Sequence, residues 1–485
     1  MAKPETRKTT FIQALLPVAF LFVLIIYGLV GRPEFLHQQP LPLEIIFLAG
    51  SVFAIAQLRF LGFQWEEIQK GIVKKLSKAL PALFILFAIG LIIGSWIVSG
   101  TIPMLVYYGI KIINTDYIYV LAFFVPVIFS TFTGTSWGSI GTIGVVIMGI
   151  AITVNAHTGI TAGAIIGGAY FGDKMSPLSD TTNIAALAVE VKLYDHIRSM
   201  MYSTIPSAII ALAAFFILGF VYPAEHLQGT TQQVEITLNS ISSMFNFSWF
   251  LLVPPAIVLW GSIKKRATIP VLLTSTVVAV VLAFIFQRFT FFDVMQTIYK
   301  GFDTKMAFWI NSTPENIDTL FNRGGLYELS EPIIISIIVF VYIGSIDKID
   351  AMTIIVTRLF RFAKKRSTVI ISSLFSTAIT NAMTSNQFAT SFVVGDAFIT
   401  KYDKLKIPRK VLSRSLEDYG TMIESLVPWT TSSIFIVATL GVSYADYWHW
   451  QLLSLTNLVV APILAITGIG CFYKQKKGDT KIKEE

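Results

Sequence analysis

The chain has 485 residues, 54% of them hydrophobic and only 14% charged, with a mean hydropathy of +0.68. A soluble domain carries about 25% charged residues, so this is an integral membrane protein whose first partner is the lipid bilayer. The net charge of +8 sits in short basic runs between apolar stretches and not in an aromatic-interleaved patch, which argues against nucleic acid. The one cysteine, Cys471, and five scattered histidines argue against disulfide frameworks, CxxC pairs and HExxH sites, and no nucleophile–base arrangement marks an enzyme.

In chain order, MAKPETRKTT precedes an apolar stretch at 11–31 that is too long for a signal-peptide h-region and lacks a small-residue cleavage site, so it reads as the first span. Further stretches that meet the roughly 20 helical residues of a hydrocarbon core follow at 42–62, 80–98 and 197–221, and then at 247–262, 268–287, 327–346 and 449–472. Segments 64–79 and 291–303 mix charged and apolar faces and are expected to be interfacial helices. Two more long apolar segments in each half are interrupted. The first, 117–152, breaks at Thr133-Gly134-Thr135-Ser136-Trp137-Gly138, and each arm of about 16 residues, roughly 24 Å, falls short of a full crossing. A re-entrant hairpin is expected. The second, 158–191, is interrupted between Gly172 and Asp180, where Gly, Pro and two acids cannot continue an apolar helix. It reads as one span unwound in the middle.

The same pair recurs at 367–400 and 408–441: Thr135-Ser136 and Thr181-Thr182 reappear as Thr384-Ser385 and Thr430-Thr431, each 249 residues later. Each half therefore has five net crossings and a hairpin, and an odd number inverts the second half relative to the first. The expected fold class is an all-α polytopic membrane protein of two inverted-topology repeats, each with about five transmembrane helices, one unwound mid-membrane, and one re-entrant hairpin. Its expected divisions are a first repeat at 1–222, an external loop at 223–246, a second repeat at 247–473 with an external insertion near 304–326, and a cytoplasmic tail at 474–485. With the N-terminus inside, 30 of the 37 Lys+Arg fall on the inner side, so both termini are expected in the cytoplasm. Thr230 then faces outward and Lys265 inward.

Paired interruptions in corresponding places are the best sequence pointer to a carrier's binding site, because irregular backbone at membrane depth is tolerated where it lines a protein cavity. A channel lacks support, since no polar ring repeats along a pore. Asp173 and Asp180 are the sharpest candidates, with Thr181, Thr182, Asn183, Thr135 and Ser136 close by; carboxylates, hydroxyls and freed carbonyls are the hard oxygen ligands of a small cation. An ion pair of Lys174 with one of these acids is the competing reading. In the second half, Thr384, Ser385, Asn386 and Gln387 at the hairpin tip, and Glu424, Ser425, Thr430 and Thr431 at the break, offer a substrate side to the site, where half-helix N-termini favour an anion such as a carboxylate. Met422 and Trp429 stand where the repeat would place acids. Glu331, Glu417 and Asp418 are expected to be interfacial or simply hydrogen-bonded, and Gly138, Gly141 and Gly144 to serve helix packing.

The string Gly168-Ala-Tyr-Phe-Gly-Asp-Lys-Met-Ser-Pro-Leu-Ser-Asp-Thr-Thr-Asn183 resembles the NhaC family of sodium/proton antiporters, and Thr133-Gly-Thr-Ser-Trp-Gly138 is similar to that family's other characteristic string. The resemblance spans essentially the whole chain. It implies a multi-pass carrier of the bacterial inner membrane, with no cofactor and with Na+ and H+ as transported ions; on the residues above, Asp180 and Asp173 are expected to bind Na+ or H+ competitively. It also allows the coupled carriage of a small organic acid such as malate or lactate, or of an amino acid, and a homodimeric scaffold.

Overall fold

The computed structural model describes residues 9–112, 115–224, 231–264, 266–310 and 314–473. Thr230, Lys265 and the expected tail 474–485 lie outside the described residues. The described chain is helical throughout, without a strand, and seven of its helices are long and apolar enough to cross a membrane, or nine if two bent pairs count as single spans. It is an all-α multi-pass membrane protein.

The three largest of its buried apolar clusters hold the described residues together. One gathers the first hairpin, Ile118–Thr133 and Ser136–Thr153, with the long Trp65–Val98 helix. A second joins the first two spans, Phe11–Ile25 and Leu43–Phe60, to Ser330–Asp347. The third lies between the second hairpin, Arg366–Thr384 and Gln387–Lys404, and Arg409–Leu416.

Residues 64–79 are not a separate interfacial helix. The only breaker at the boundary, Pro81, is accommodated within the helix, so Trp65–Val98 runs on for 34 residues. The second half differs because of its insertion: Phe291–Lys300 ends at Gly301, and the chain detours through 302–329 before Ser330–Asp347 begins. The Trp65–Val98 and Ser330–Asp347 helices lie antiparallel. At one end Gly344 meets the backbone of Gly71-Ile72; at the other Gly90 and Gly94 meet the backbone of Gly324-Gly325 in the insertion. No side chain lies between the strips of backbone at these crossings, and a Cβ on Gly344 would stand 2.7 Å from the Ile72 Cα.

Both hairpins break by the same device. In the first, Gly134 closes the incoming arm with φ of 70°, and Thr135 caps the outgoing arm by accepting from the Gly138 amide at 3.2 Å. In the second, Ser385 takes the left-handed conformation at φ of 47° and Asn386 accepts from the Ala389 amide at 2.8 Å. The interrupted helices follow suit. Thr158–Met175 stops before Pro177 and resumes as Asp180–Ala188 under a Ser179 cap. Its counterpart stops at Glu424 and resumes as Thr431–Leu440 under a Thr430 cap.

Candidate functional site

The two hairpin tips and the two helix breaks meet around one cavity of about 480 Å³. Four helix N-termini and four C-termini end there, so oriented backbone dipoles of both signs face the space before any side chain is counted. Its lining includes Pro81, Val258, Arg266, Thr268 and Val271 together with Asp180, Asp173 and Glu424.

Asp173 is the best-held acid. It is buried, and its two carboxylate oxygens accept from Ser136 Oγ and Ser179 Oγ, each at 2.6 Å. Ser136 belongs to the first hairpin tip and Ser179 to the break, so Asp173 fastens one to the other. Asp180 opens the resumed helix, where the N-terminal dipole favours a carboxylate; it accepts from the Thr181 amide at 2.9 Å and its side chain is exposed to the cavity. Thr181 Oγ1 also faces the cavity, 3.0 Å from Ser179 Oγ.

Thr182 and Asn183 do not reach the cavity. Thr182 Oγ1 donates to the carbonyls of Asp173 and Lys174, both at 3.1 Å, and Asn183 Nδ2 donates to those of Pro177 and Ser179 at 3.0 and 2.5 Å. These side chains satisfy the carbonyls that the unwound turn frees, which a buried break requires. The second half sorts the same way. Ser385, Asn386, Gln387, Glu424 and Thr431 line the cavity, whereas Thr384 turns back to Thr390 at 3.0 Å inside its own hairpin. Ser425 bonds Gln451, and Thr430 bonds the Glu424 and Val427 carbonyls.

Lys174 pairs with neither Asp173 nor Asp180. Its ammonium contacts the Asp418 carboxylate, with the two side chains 0% and 1% exposed, and Ser203 Oγ donates to the same acid at 2.7 Å while Arg414 Nε lies 3.7 Å away. Of the two places expected for Glu417 and Asp418, interfacial or hydrogen-bonded, the second holds: both are fully buried in a π-helical turn, Glu417–Thr421, and accept side-chain hydrogen bonds. Glu331 and Asp396 are exposed and away from the cavity lining.

Sequence reasoning passed over Asn381 and Ser432. Asn381 Nδ2 donates to Glu424 at 3.2 Å and to Gln387 Oε1 at 2.9 Å. Ser432 Oγ donates to Glu424 at 2.8 Å and accepts from Trp137 Nε1 of the first half at 3.3 Å. An amide within a hairpin arm is itself costly in a membrane and is the signal that would have found Asn381. Among the described residues no three His, Cys, Asp or Glu side chains gather as a transition-metal site would need. The arrangement instead offers separate carboxylates among hydroxyls, suited to weakly held monovalent ions.

A family model described as the Na+/H+ antiporter family matches residues 168–469. The chain is 38% identical to an uncharacterised Na+/H+ antiporter of Haemophilus influenzae, over 96% of this chain and 98% of that one. It is 33% identical to the Na+/H+ antiporter NhaC of Alkalihalophilus pseudofirmus, over 89% and 91% of the two chains. A malate-2H+/Na+-lactate antiporter of Bacillus subtilis is 30% identical over the same shares, 89% and 91%.

Proposed function

This chain belongs to the Na+/H+ antiporter family, of the NhaC type, and from that membership we propose that it exchanges Na+ for H+ across a bacterial inner membrane by alternating access. The observation that carries the reading is Asp173. It is buried at the meeting of hairpin and break, bonded only to hydroxyls among the described side chains, and its neighbour Lys174 is committed to Asp418. A carboxylate in such a place has no fixed counter-charge, and leaving it ionised and unpaired costs several kcal/mol. A mobile cation must neutralise it, either a proton or Na+. Asp180, Ser136, Thr181 and, from the other half, Glu424 complete an oxygen-lined site in which the two ions compete.

The inverted-repeat architecture is part of the same proposal. The antiparallel crossing supports it: Gly94-Ser95 recurs as Gly344-Ser345 and Lys70-Gly71 as Lys300-Gly301, and a two-fold that exchanges these pairs turns the contact of Gly344 on Gly71 into that of Gly94 beside the 297–301 turn, where its Cβ would stand 3.1 Å from the Thr297 carbonyl. The inner-side excess of Lys and Arg supports cytoplasmic termini. Arg266, in an inner loop on that orientation, is among the residues that line the cavity. A homodimeric assembly belongs to the same reading and rests on the family resemblance.

Proteoliposomes with imposed Na+ and pH gradients test the function. Added Na+ should collapse a pH gradient, and H+ should drive Na+ uptake; Na+-independent proton movement would sink the proposal. The cavity volume, about 480 Å³, favours a second reading, because a bare Na+ fills little of it. Under that reading a small organic acid or amino acid shares the site, held by the Asn386 and Gln387 tip, and dependence of the exchange on an added organic acid would establish it.

A further inference from the structure

The buried charges around the cavity do not balance. Lys174 and Arg414 are both directed at Asp418, which leaves Asp173, Glu424 and Glu417 without a basic partner among the described residues. Asp173 and Glu424 each hold two side-chain hydrogen bonds. Glu417 differs from them. It is 0% exposed, its Oε2 accepts from Thr421 Oγ1 at 2.6 Å, and its Oε1 has no hydrogen-bond partner in the protein.

One donor is too few for a buried carboxylate anion, and one carboxylate beside one hydroxyl is too few oxygens for a Na+ shell. A proton satisfies the same group at once, by making it neutral. The group is also connected: the Thr421 hydroxyl that donates to Glu417 belongs to a residue of the cavity wall, and a hydroxyl can donate on one side while accepting from the cavity on the other. The charged groups that act on Glu417 are Lys174 and Asp173 from the first interrupted helix and Glu424 from its own; Asp418, next to it in the chain, and Arg414 are paired with each other. The neighbouring helices Arg366–Thr384, Gln387–Lys404 and Leu452–Thr467 present the neutral amides Asn381, Gln387 and Asn457 there, and Leu193–Val221 presents Ser203 and the buried His196, which is bonded to Ser413.

We propose that Glu417 is a second, proton-only exchange site, separate from the Na+-binding carboxylates, so that two protons are exchanged for each Na+. The inference rests on the antiport reading above. The charge balance of one cycle is then two positive charges moving one way and one the other, so the exchange is electrogenic.

The test is the coupling ratio in proteoliposomes with the membrane potential clamped at zero. At two protons per Na+, a tenfold Na+ gradient is balanced by roughly half a pH unit, and at one proton by about one unit. Wild-type protein should balance near half a unit. Glu417→Gln should still move Na+ with an unchanged Na+ KM but balance near one unit, and Glu417→Asp should keep the wild-type ratio. A wild-type balance near one unit overturns the inference, as does Glu417→Gln with the wild-type ratio. A raised Na+ KM in Glu417→Gln also overturns it, by placing Glu417 in the Na+ shell. Should Glu417→Gln fail to assemble, the wild-type balance point decides. Wild-type vesicles with no Na+-driven proton movement sink the antiport reading itself, a result distinct from a ratio of one.

Discussion

Replacing Lys174 with Met should destabilise the protein by about 3 kcal/mol. Removing one member of a buried ion pair costs about 3–5 kcal/mol, because the survivor is left charged and unpaired. Here the survivor is Asp418, which keeps Ser203 at 2.7 Å, Asn457 Nδ2 at 3.3 Å and Arg414 Nε at 3.7 Å, and this places the cost at the low end of the range. Asp418→Asn strands Lys174 instead, with only the Asn457 oxygen at 3.5 Å, and should cost as much or more. The double variant Lys174→Met/Asp418→Asn removes both charges together. It should therefore lose far less than the sum of the singles, with an interaction energy of about 2 kcal/mol or more. Equilibrium unfolding in mixed micelles measures all four corners of the cycle. Additivity within about 0.5 kcal/mol would refute the idea that the pair is energetically joined. The double variant should also retain Na+-driven proton movement, since Lys174 neutralises Asp418 and not the cavity acids.

Asp173→Asn and Asp180→Asn should each abolish coupled exchange in folded, membrane-inserted protein, because the amide keeps size but can carry neither Na+ charge nor proton; wild-type coupling in vesicles of either variant would move the cation site to Glu424. Ser136→Ala removes a hydrogen bond to a charged group, worth about 1.5–3 kcal/mol, and so should raise the Na+ KM by roughly tenfold or more. An unchanged KM would take Ser136 out of the site. Gly134→Val combines a left-handed backbone with a Cβ 2.7 Å from the Leu178 backbone, so it should cost more than about 2 kcal/mol and lose Na+ binding measured by calorimetry; wild-type binding would mean that the tip need not rest on the break.

The interruptions were legible because Gly, Pro and acids inside an apolar run have no other account, and the 249-residue offset tied the two sets together. What each hydroxyl does there was not legible. Thr181 and Thr182 are identical neighbours, yet one faces the cavity and the other binds freed carbonyls, a choice made by the helical turn after Ser179. The partner of Lys174 lies 244 residues away, beyond any local pattern, and the adjacent Asp173 was the obvious but incorrect candidate. Glu417 and Asp418 lie only a few residues after the basic run at 401–414, which left a water interface open beside a hydrogen-bonded place, and the helix carries them into the interior within two turns. The long Trp65–Val98 helix was divided in the sequence reading because its polarity changes midway, although polarity sets depth and not continuity.

The crossing of Trp65–Val98 with Ser330–Asp347 has a mechanical consequence. Where backbone rests directly on backbone there are no rotamers to rearrange, and sliding by even a fraction of a turn would drive Cα atoms into one another or open a void with nothing to fill it. The two helices therefore behave as one stiff beam, with the 302–329 insertion clamped to its end through Gly324 and Gly325. The hairpins and interrupted helices around the cavity are joined instead by side chains and broken backbone that can rearrange, so the compliance of the molecule resides there and not in the beam.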